Sequence, residues 1–298
     1  MKQIAFASGK GGAGKTTLSA AFFDHVASMS VFADCDVDAS DAFILLEKRT
    51  LSSEPFESGY KYEIEQDKCT SCGICREKCV FGAIKIENGK YLIDLFKCEG
   101  CGRCALACPA AAIKKEKNYC GDIFNAETHG GHPMAYARFF PAEDNSGKLA
   151  SKVRMRAVAQ MIKEKRSLIV IDSPPGTGCP LTASITGIDF LVVVIECTMS
   201  GFSDAQRLIE LAEKMKIPVM AVLNKTGPDD LTLEKAKRML AEKGIPLAGK
   251  IPFTKEVSSL INRKKLITDT ADPALKTVIE RIFAEICRLS GIEKRSEI

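Results

Sequence analysis

An α/β fold with a mostly parallel sheet flanked by helices, interrupted by a small cysteine-rich α+β domain, is the architecture this sequence predicts, and three observations predict it. Short apolar runs at 4–7, 31–33, 168–171, 190–195 and 219–223 are rich in Val and Ile and lack polar alternation, as strands covered on both faces do. Helical patterns fill 203–215 and 231–243, and strand followed by helix, repeated, means parallel strands with crossover helices. The rhythm breaks between about 59 and 118, where eight of the thirteen cysteines sit.

Composition bounds the classes open to the chain. At 298 residues, 46% hydrophobic and 27% charged, it has room for one large α/β domain and a small second one. Lys and Arg are scattered among nearly as many Asp and Glu, and the formal charge of +4 is slight, so nucleic-acid binding is not expected. The N-terminus carries no signal-peptide pattern, and no apolar run approaches the roughly 20 residues of a membrane helix. The expected location is the cytoplasm, without membrane docking. Thiols stay reduced there, so the cysteines are read as metal ligands and not as disulfides.

The cysteine-rich segment duplicates itself. Cys69-Thr-Ser-Cys72-Gly-Ile-Cys75-Arg-Glu-Lys-Cys79 returns 29 residues later as Cys98-Glu-Gly-Cys101-Gly-Arg-Cys104-Ala-Leu-Ala-Cys108, and each copy closes on an Ala-Ile pair. Such a duplication is a compact unit of its own. The expected division is an α/β domain over 1–59 and 119–298, with an inserted domain at 60–118. Residues 50–58 and 114–118 read as polar joints, and 119–140 as weakly strand-like.

The run Gly9-Lys10-Gly11-Gly12-Ala13-Gly14-Lys15-Thr16-Thr17 follows the first strand and opens a helix, which is P-loop spacing. Its glycines let backbone N–H groups curl around phosphate, and the helix N-terminus adds partial positive charge. Lys15 is expected on the terminal phosphates and Thr16 on Mg²⁺. Because Lys10 precedes the glycines, the run resembles the deviant Walker A of the MinD, ParA, Mrp and nitrogenase iron-protein superfamily. That resemblance implies an ATPase acting as a nucleotide-sandwich homodimer, with Lys10 reaching the partner subunit's phosphates. It further implies that Asp36, in Asp34-Cys35-Asp36-Val37-Asp38, orients the attacking water, with Asp38 and Asp41 as alternative capping or turn residues. Asp172, in Asp172-Ser-Pro-Pro-Gly-Thr-Gly178, looks like a Walker B carboxylate holding Mg²⁺ through water. Asn224 would meet the adenine edge, implying ATP, and Pro252 would lie beside the base.

The doubled C-x2-C-x2-C-x3-C run resembles a bacterial-type ferredoxin with two [4Fe–4S] clusters, in which each fourth cysteine serves the other cluster. On that rule Cys69, Cys72, Cys75 and Cys108 hold one, and Cys98, Cys101, Cys104 and Cys79 the other. Pro109 follows Cys108 as the pattern expects, whereas Val80 replaces proline after Cys79. Two Cys₄ zinc sites are the alternative, though zinc favours paired C-x2-C knuckles across longer loops.

Cys179 follows Asp172 by seven residues and precedes Pro180. In the nitrogenase iron protein a cluster ligand stands in this place, so Cys179 is either a metal ligand near a dimer axis or a small buried cysteine. Cys35, Cys120, Cys197 and Cys287 read as structural. His25, His129 and His132 read as surface or core residues. Leu275, Ile279, Ile282, Ile286 and Leu289 form a packing stripe before a mixed-charge tail.

The expected function is an ATP-dependent dimeric switch joined to two clusters, serving ATP-gated electron transfer or cluster and metal-cofactor maturation with a redox or cluster-accepting protein partner. The alternative is spatial positioning of cellular cargo, with structural or redox-sensing clusters. ATP-dependent corrinoid amidation fits the wider superfamily but finds no glutaminase-like Cys-His arrangement here.

Overall fold

A computed structural model describes residues 1–46, 49–140, 143, 145–227 and 231–293 of the chain. Its elements are β1 (Lys2–Ala7), α1 (Lys15–His25), β2 (Ser30–Asp34), α2 (Ala42–Leu46), β3 (Arg49–Ile64), α3 (Ile74–Lys78), β4 (Ile84–Glu87), β5 (Lys90–Ile93), α4 (Arg103–Leu106), β6 (Ile113–Glu127), β7 (Pro133–Phe139), α5 (Ser146–Lys163), β8 (Leu168–Asp172), α6 (Cys179–Ile185), β9 (Phe190–Glu196), α7 (Met199–Lys214), β10 (Val219–Thr226), α8 (Leu231–Glu242), β11 (Leu247–Pro252), α9 (Lys255–Asn262) and α10 (Pro273–Ser290).

The main sheet runs β11-β10-β9-β1-β8-β2-β7-β6-β3. The pairings from β11 across to β7 are parallel, as continuous apolar strands between crossover helices require. Every apolar run read as a strand is one. The register sets the chemistry. Asp34 closes β2 directly beside Asp172 at the end of β8, and Phe6 of β1 is the other neighbour of Asp172. Carboxylates are thus gathered at the C-terminal edge of the sheet, where parallel α/β folds bind ligands.

Aromatic residues lock the layers. Phe22 of α1 lies 5.4 Å from Phe6 and meets Phe283 of α10 edge-on at 5.5 Å, while Phe23 meets Phe32 at 5.3 Å. Truncating such a buried ring costs about 3–5 kcal/mol, so α1 is held firmly under the loop that precedes it. The C-terminal stripe packs as expected: Leu275, Ile279, Ile282 and Ile286 are buried, with Leu289 against the same core. Asp272 caps α10 through the Ala274 N–H at 2.9 Å, Pro273 opens the helix and Gly291 ends it at φ 60°, the N-terminal Pro and C-terminal Gly pattern. The charged tail, 294–298, lies outside the described residues. Among the described residues no helix is long and apolar enough to cross a membrane.

The joints are corrected. Residues 50–58 and 114–118 lie inside β3 and β6, because polar side chains on a strand's solvent face do not interrupt its ladder. The chain divides into one unit of Met1–Glu54, Ile123–Arg138 and Ser146–Ile298, and a second of Pro55–Asp122 and Phe139–Asn145. The second unit is therefore longer than 60–118 and includes Cys120. That thiol is buried and donates to the Ser58 carbonyl at 3.3 Å.

Within the second unit, β4 and β5 form an antiparallel hairpin turning at Asn88 (φ 50°) and Gly89 (φ 75°), the left-handed pair that a tight two-residue turn needs. Its core joins Tyr62, Ile64, Ile84 and Ile113 to Cys75 and Cys104.

Candidate functional site

The loop between β1 and α1 rims a cavity of about 730 Å³, with Gly11, Gly12, Gly14, Lys15, Thr16 and Thr17 on one side and Asn224, Ile251, Pro252 and Phe253 on another. Asp36 and Pro174 also line it. The volume falls within the range of small-molecule sites. Gly12 and Gly14 sit at φ 78° and 91°, where L side chains are strained. Gly9 is constrained differently. A Cβ there would come within 2.3 Å of the Asp204 backbone, so α7 closes on the loop from behind. Ala13 is buried beneath it.

Lys15 is the centre of a buried charge cluster. Its Nζ lies 3.0 Å from Asp172 Oδ1 and 3.1 Å from Asp36 Oδ2. Burial works against its charge, but Asp172 and Asp36 outweigh that and hold the ammonium above its ordinary pKa. Thr16 Oγ1 donates to Asp172 Oδ2 at 2.7 Å and Ser19 Oγ to Oδ1 at 3.0 Å. Burial pushes the Asp36 carboxyl up, with the Asp172 charge adding to it and Lys15 opposing. Asp34, fully buried, is pushed up to about 8 by burial and then by the neighbouring Asp172. It accepts hydrogen bonds from Ser40 Oγ at 2.8 Å and the Asp36 N–H at 3.2 Å. A hydroxyl and carboxylates are the hard oxygen donors that suit Mg²⁺.

Lys10 points to a different carboxylate. Its Nζ is 2.8 Å from Glu196 Oε2 and donates to Thr198 and Ser200 hydroxyls at 3.2 and 3.1 Å. Lys225 shares Glu196 at 3.1 Å and donates to the Gly12 carbonyl at 2.7 Å. Burial raises the Glu196 carboxyl, but these two lysines outweigh it and hold it below its usual range. Asn224 faces the loop: its Nδ2 donates to the Ala13 carbonyl at 2.8 Å and its Oδ1 accepts the Lys225 N–H at 2.9 Å. Ser19, Glu196 and Lys225 were not singled out from sequence. Ser19 is one turn after Lys15 on the same helix, and Glu196 ends a parallel strand, the two signals that locate them. Cys179 is exposed at the start of α6.

In the second unit the cysteines stand around two small cavities. One is lined by Cys69, Cys72, Cys75 and Cys108, the other by Cys79, Cys98, Cys101 and Cys104. The copies are related by a pseudo-twofold exchange. Glu65 N–H donates to the Ala112 carbonyl at 2.8 Å, and its counterpart Asp94 donates to Ala83 at 2.7 Å. The fourth thiol of each run accepts a backbone N–H at 3.3 Å, Ala83 to Cys79 and Ala112 to Cys108. Tyr91 covers Gly73 and Tyr62 covers Gly102. Burial pushes the Cys75 and Cys104 thiols up. Among the described residues, no three His, Cys, Asp or Glu side chains close on a point that would hold a metal ion.

The model of the family described as CobQ/CobB/MinD/ParA nucleotide binding domain matches residues 4–267. An uncharacterized protein of Methanocaldococcus jannaschii is 33% identical over 93% of this chain and 94% of its own. An iron-sulfur cluster carrier protein of Pyrococcus abyssi is 26% identical over 50% of this chain and 56% of its own. The septum site-determining protein MinD of Pyrococcus horikoshii, solved with Mg-ADP, superposes with a TM-score of 0.59 at 15% identity, covering 99% of each chain. At that identity the likeness concerns the fold alone.

Proposed function

The chain belongs to the CobQ/CobB/MinD/ParA nucleotide-binding family, and we propose that it works there as an ATP-hydrolysing dimeric switch coupled to two [4Fe–4S] clusters. The clusters would sit in an inserted ferredoxin domain and serve ATP-gated electron transfer or the maturation of a metal-cofactor protein. The observation that carries the reading is the grouping of eight thiols into two rings of four, each drawing on both repeats. Soft thiolates spaced around a cavity suit an iron–sulfur cube, whereas a lone zinc ion needs four sulfurs about 2.3 Å from one point. The paired N–H···S contacts at Cys79 and Cys108 are the kind that tune such a group. When bound, the clusters would supply one-electron chemistry at low potential.

In the larger unit, Lys15 and the loop N–H groups would bind the phosphates of ATP. Thr16, with Asp172 through water, would hold Mg²⁺. Asp36 would orient the attacking water, and Asn224 and Pro252 would flank the base. Lys10 would act on the phosphates of a second copy, which requires it to leave Glu196. Cys179, exposed at the start of α6, would bind metal shared across that dimer.

The test is anaerobic reconstitution with iron and sulfide quantification, alongside ATP hydrolysis measured against protein concentration. The reading expects about eight iron atoms per chain and a rate per molecule that rises with concentration. Lys10→Ala should keep MgATP binding and lose that rise. A Lys10→Ala protein that dimerises and hydrolyses normally would remove the lysine from the mechanism, and zinc in place of iron would end the cluster reading.

A further inference from the structure

We propose that the face of the smaller unit around the Cys98 ring docks a small acidic one-electron carrier protein; the proposal rests on the cluster reading above. Because the repeats superpose at an offset of 29 residues, each ring serves as a control for the other. Ahead of Cys69 stand Gln66 and Asp67, and ahead of Cys98 stand Leu95 and Phe96. Within the runs, Glu77 becomes Leu106. After the fourth thiol, Pro109-Ala110 flank the Cys69 ring, whereas Val80-Phe81 flank the Cys98 ring. The apolar set is exposed, Phe96 and Leu106 at 91% each, with Val80 at 67%, Leu95 at 54% and Phe81 at 45%.

Folding does not ask for these residues, since the same backbone carries polar side chains at Gln66, Asp67 and Glu77. Val80-Phe81 follow Cys79 and Leu95-Phe96 precede Cys98, and these two thiols line one cavity with Phe81, so large apolar groups exposed around that cavity mark a contact surface. Its size selects the partner. The five residues offer on the order of 600 Å² of apolar area, about one side of a transient redox encounter and less than a stable dimer buries. Its charge selects further. Arg76, Lys78, Lys97 and Arg103 of the same segments are exposed and make no ion pair among the described residues, against the exposed acids Glu77 and Glu99. The excess of exposed cations on the segments that carry the apolar residues complements an acidic partner. A cluster held by the Cys98 ring would accept one electron from the carrier's reduced centre, with no bond made or broken.

The experiment uses the reconstituted full chain and a small acidic flavodoxin as probe, with affinity from titration calorimetry at low and high salt and iron counted in every sample. The double variant Phe96→Asp/Leu106→Glu copies the residues of the other ring. It should weaken binding by about tenfold or more while iron content holds, and salt should weaken the wild type. The control Asp67→Asn, ahead of the other ring, should leave affinity unchanged. Equal binding by both variants, or no binding by the wild type, overturns the proposal. So does concentration-dependent self-association, or binding to anionic lipid vesicles, that the double variant abolishes. A wild-type chain that assembles no iron defeats the cluster reading itself, an outcome told apart by the iron count alone.

Discussion

The nucleotide cavity collects residues from positions as distant as Ser8 and Ile279, whereas each cysteine ring is complete within positions 69–108. The first is assembled by strand register: Asp172 meets Lys15 and Thr16 because β8 lies beside β1, and Asp34 joins them because β2 lies on its other side. The second is assembled by a duplicated stretch that folds back on itself. The cavity is lined by hard oxygens neutralised by a buried ammonium, and the rings by soft sulfurs receiving backbone N–H groups. Each site should therefore fail by its own route and leave the other standing.

The largest effects should come from the rings. Cys75→Ser and Cys104→Ser are counterparts, one in each ring. If the rings hold the proposed clusters, each should remove about four of roughly eight iron atoms and expose the second unit to protease, since metal binding and folding would be linked there. MgATP affinity should be untouched. If either variant kept full iron, the assignment of four thiols to each ring would be wrong. Next is Lys15→Met, which leaves Asp172 and Asp36 without their buried cation. We expect ATP affinity to fall at least about a hundredfold, and urea unfolding to report a loss of about 3 kcal/mol at neutral pH, with iron content unchanged.

A smaller effect concerns pH. The Asp34 carboxyl holds its proton in the fold up to about 8, whereas in the unfolded chain it ionises near its usual value of about 3.9. Its contribution is thus fully present below about pH 4 and is lost as pH rises towards 8. Asp34→Asn should flatten that slope in nucleotide-free urea titrations between pH 5 and 8, and an unchanged slope would contradict the assignment. The smallest effect is at Glu196. Glu196→Gln weakens the partly exposed pair with Lys10 by about 0.5–1 kcal/mol, so the protein concentration at which hydrolysis accelerates should drop a few-fold.

Much of this was legible in the chain. Spacing encodes the P-loop and the eight cysteines, the resemblance to a family's motifs pointed to Asp36 and Asp172, and the apolar strands declared themselves by composition. The joints did not. In β3 and β6 long polar stretches continue as strands, since a ladder depends on backbone groups and tolerates polar side chains facing water. Helix α5 carries a weak periodic signal, because its buried stripe of Leu149, Ala150, Val153, Ala157, Gln160 and Met161 includes two alanines and a glutamine. The pairing of Lys10 and Lys225 on Glu196 depends on β9 and β10 lying side by side, and no local pattern encodes that. The Asn88-Gly89 pair is a readable hairpin signal.

If ATP binding acts on the proposed clusters, low-temperature electron paramagnetic resonance of the reduced protein, with and without MgATP, is the most direct test. Two interacting [4Fe–4S]⁺ signals should change in line shape or reducibility when MgATP is added, with no such change in Lys15→Met. Two clusters indifferent to nucleotide in the wild type would contradict it, and would favour a positioning ATPase whose clusters are structural or sensing.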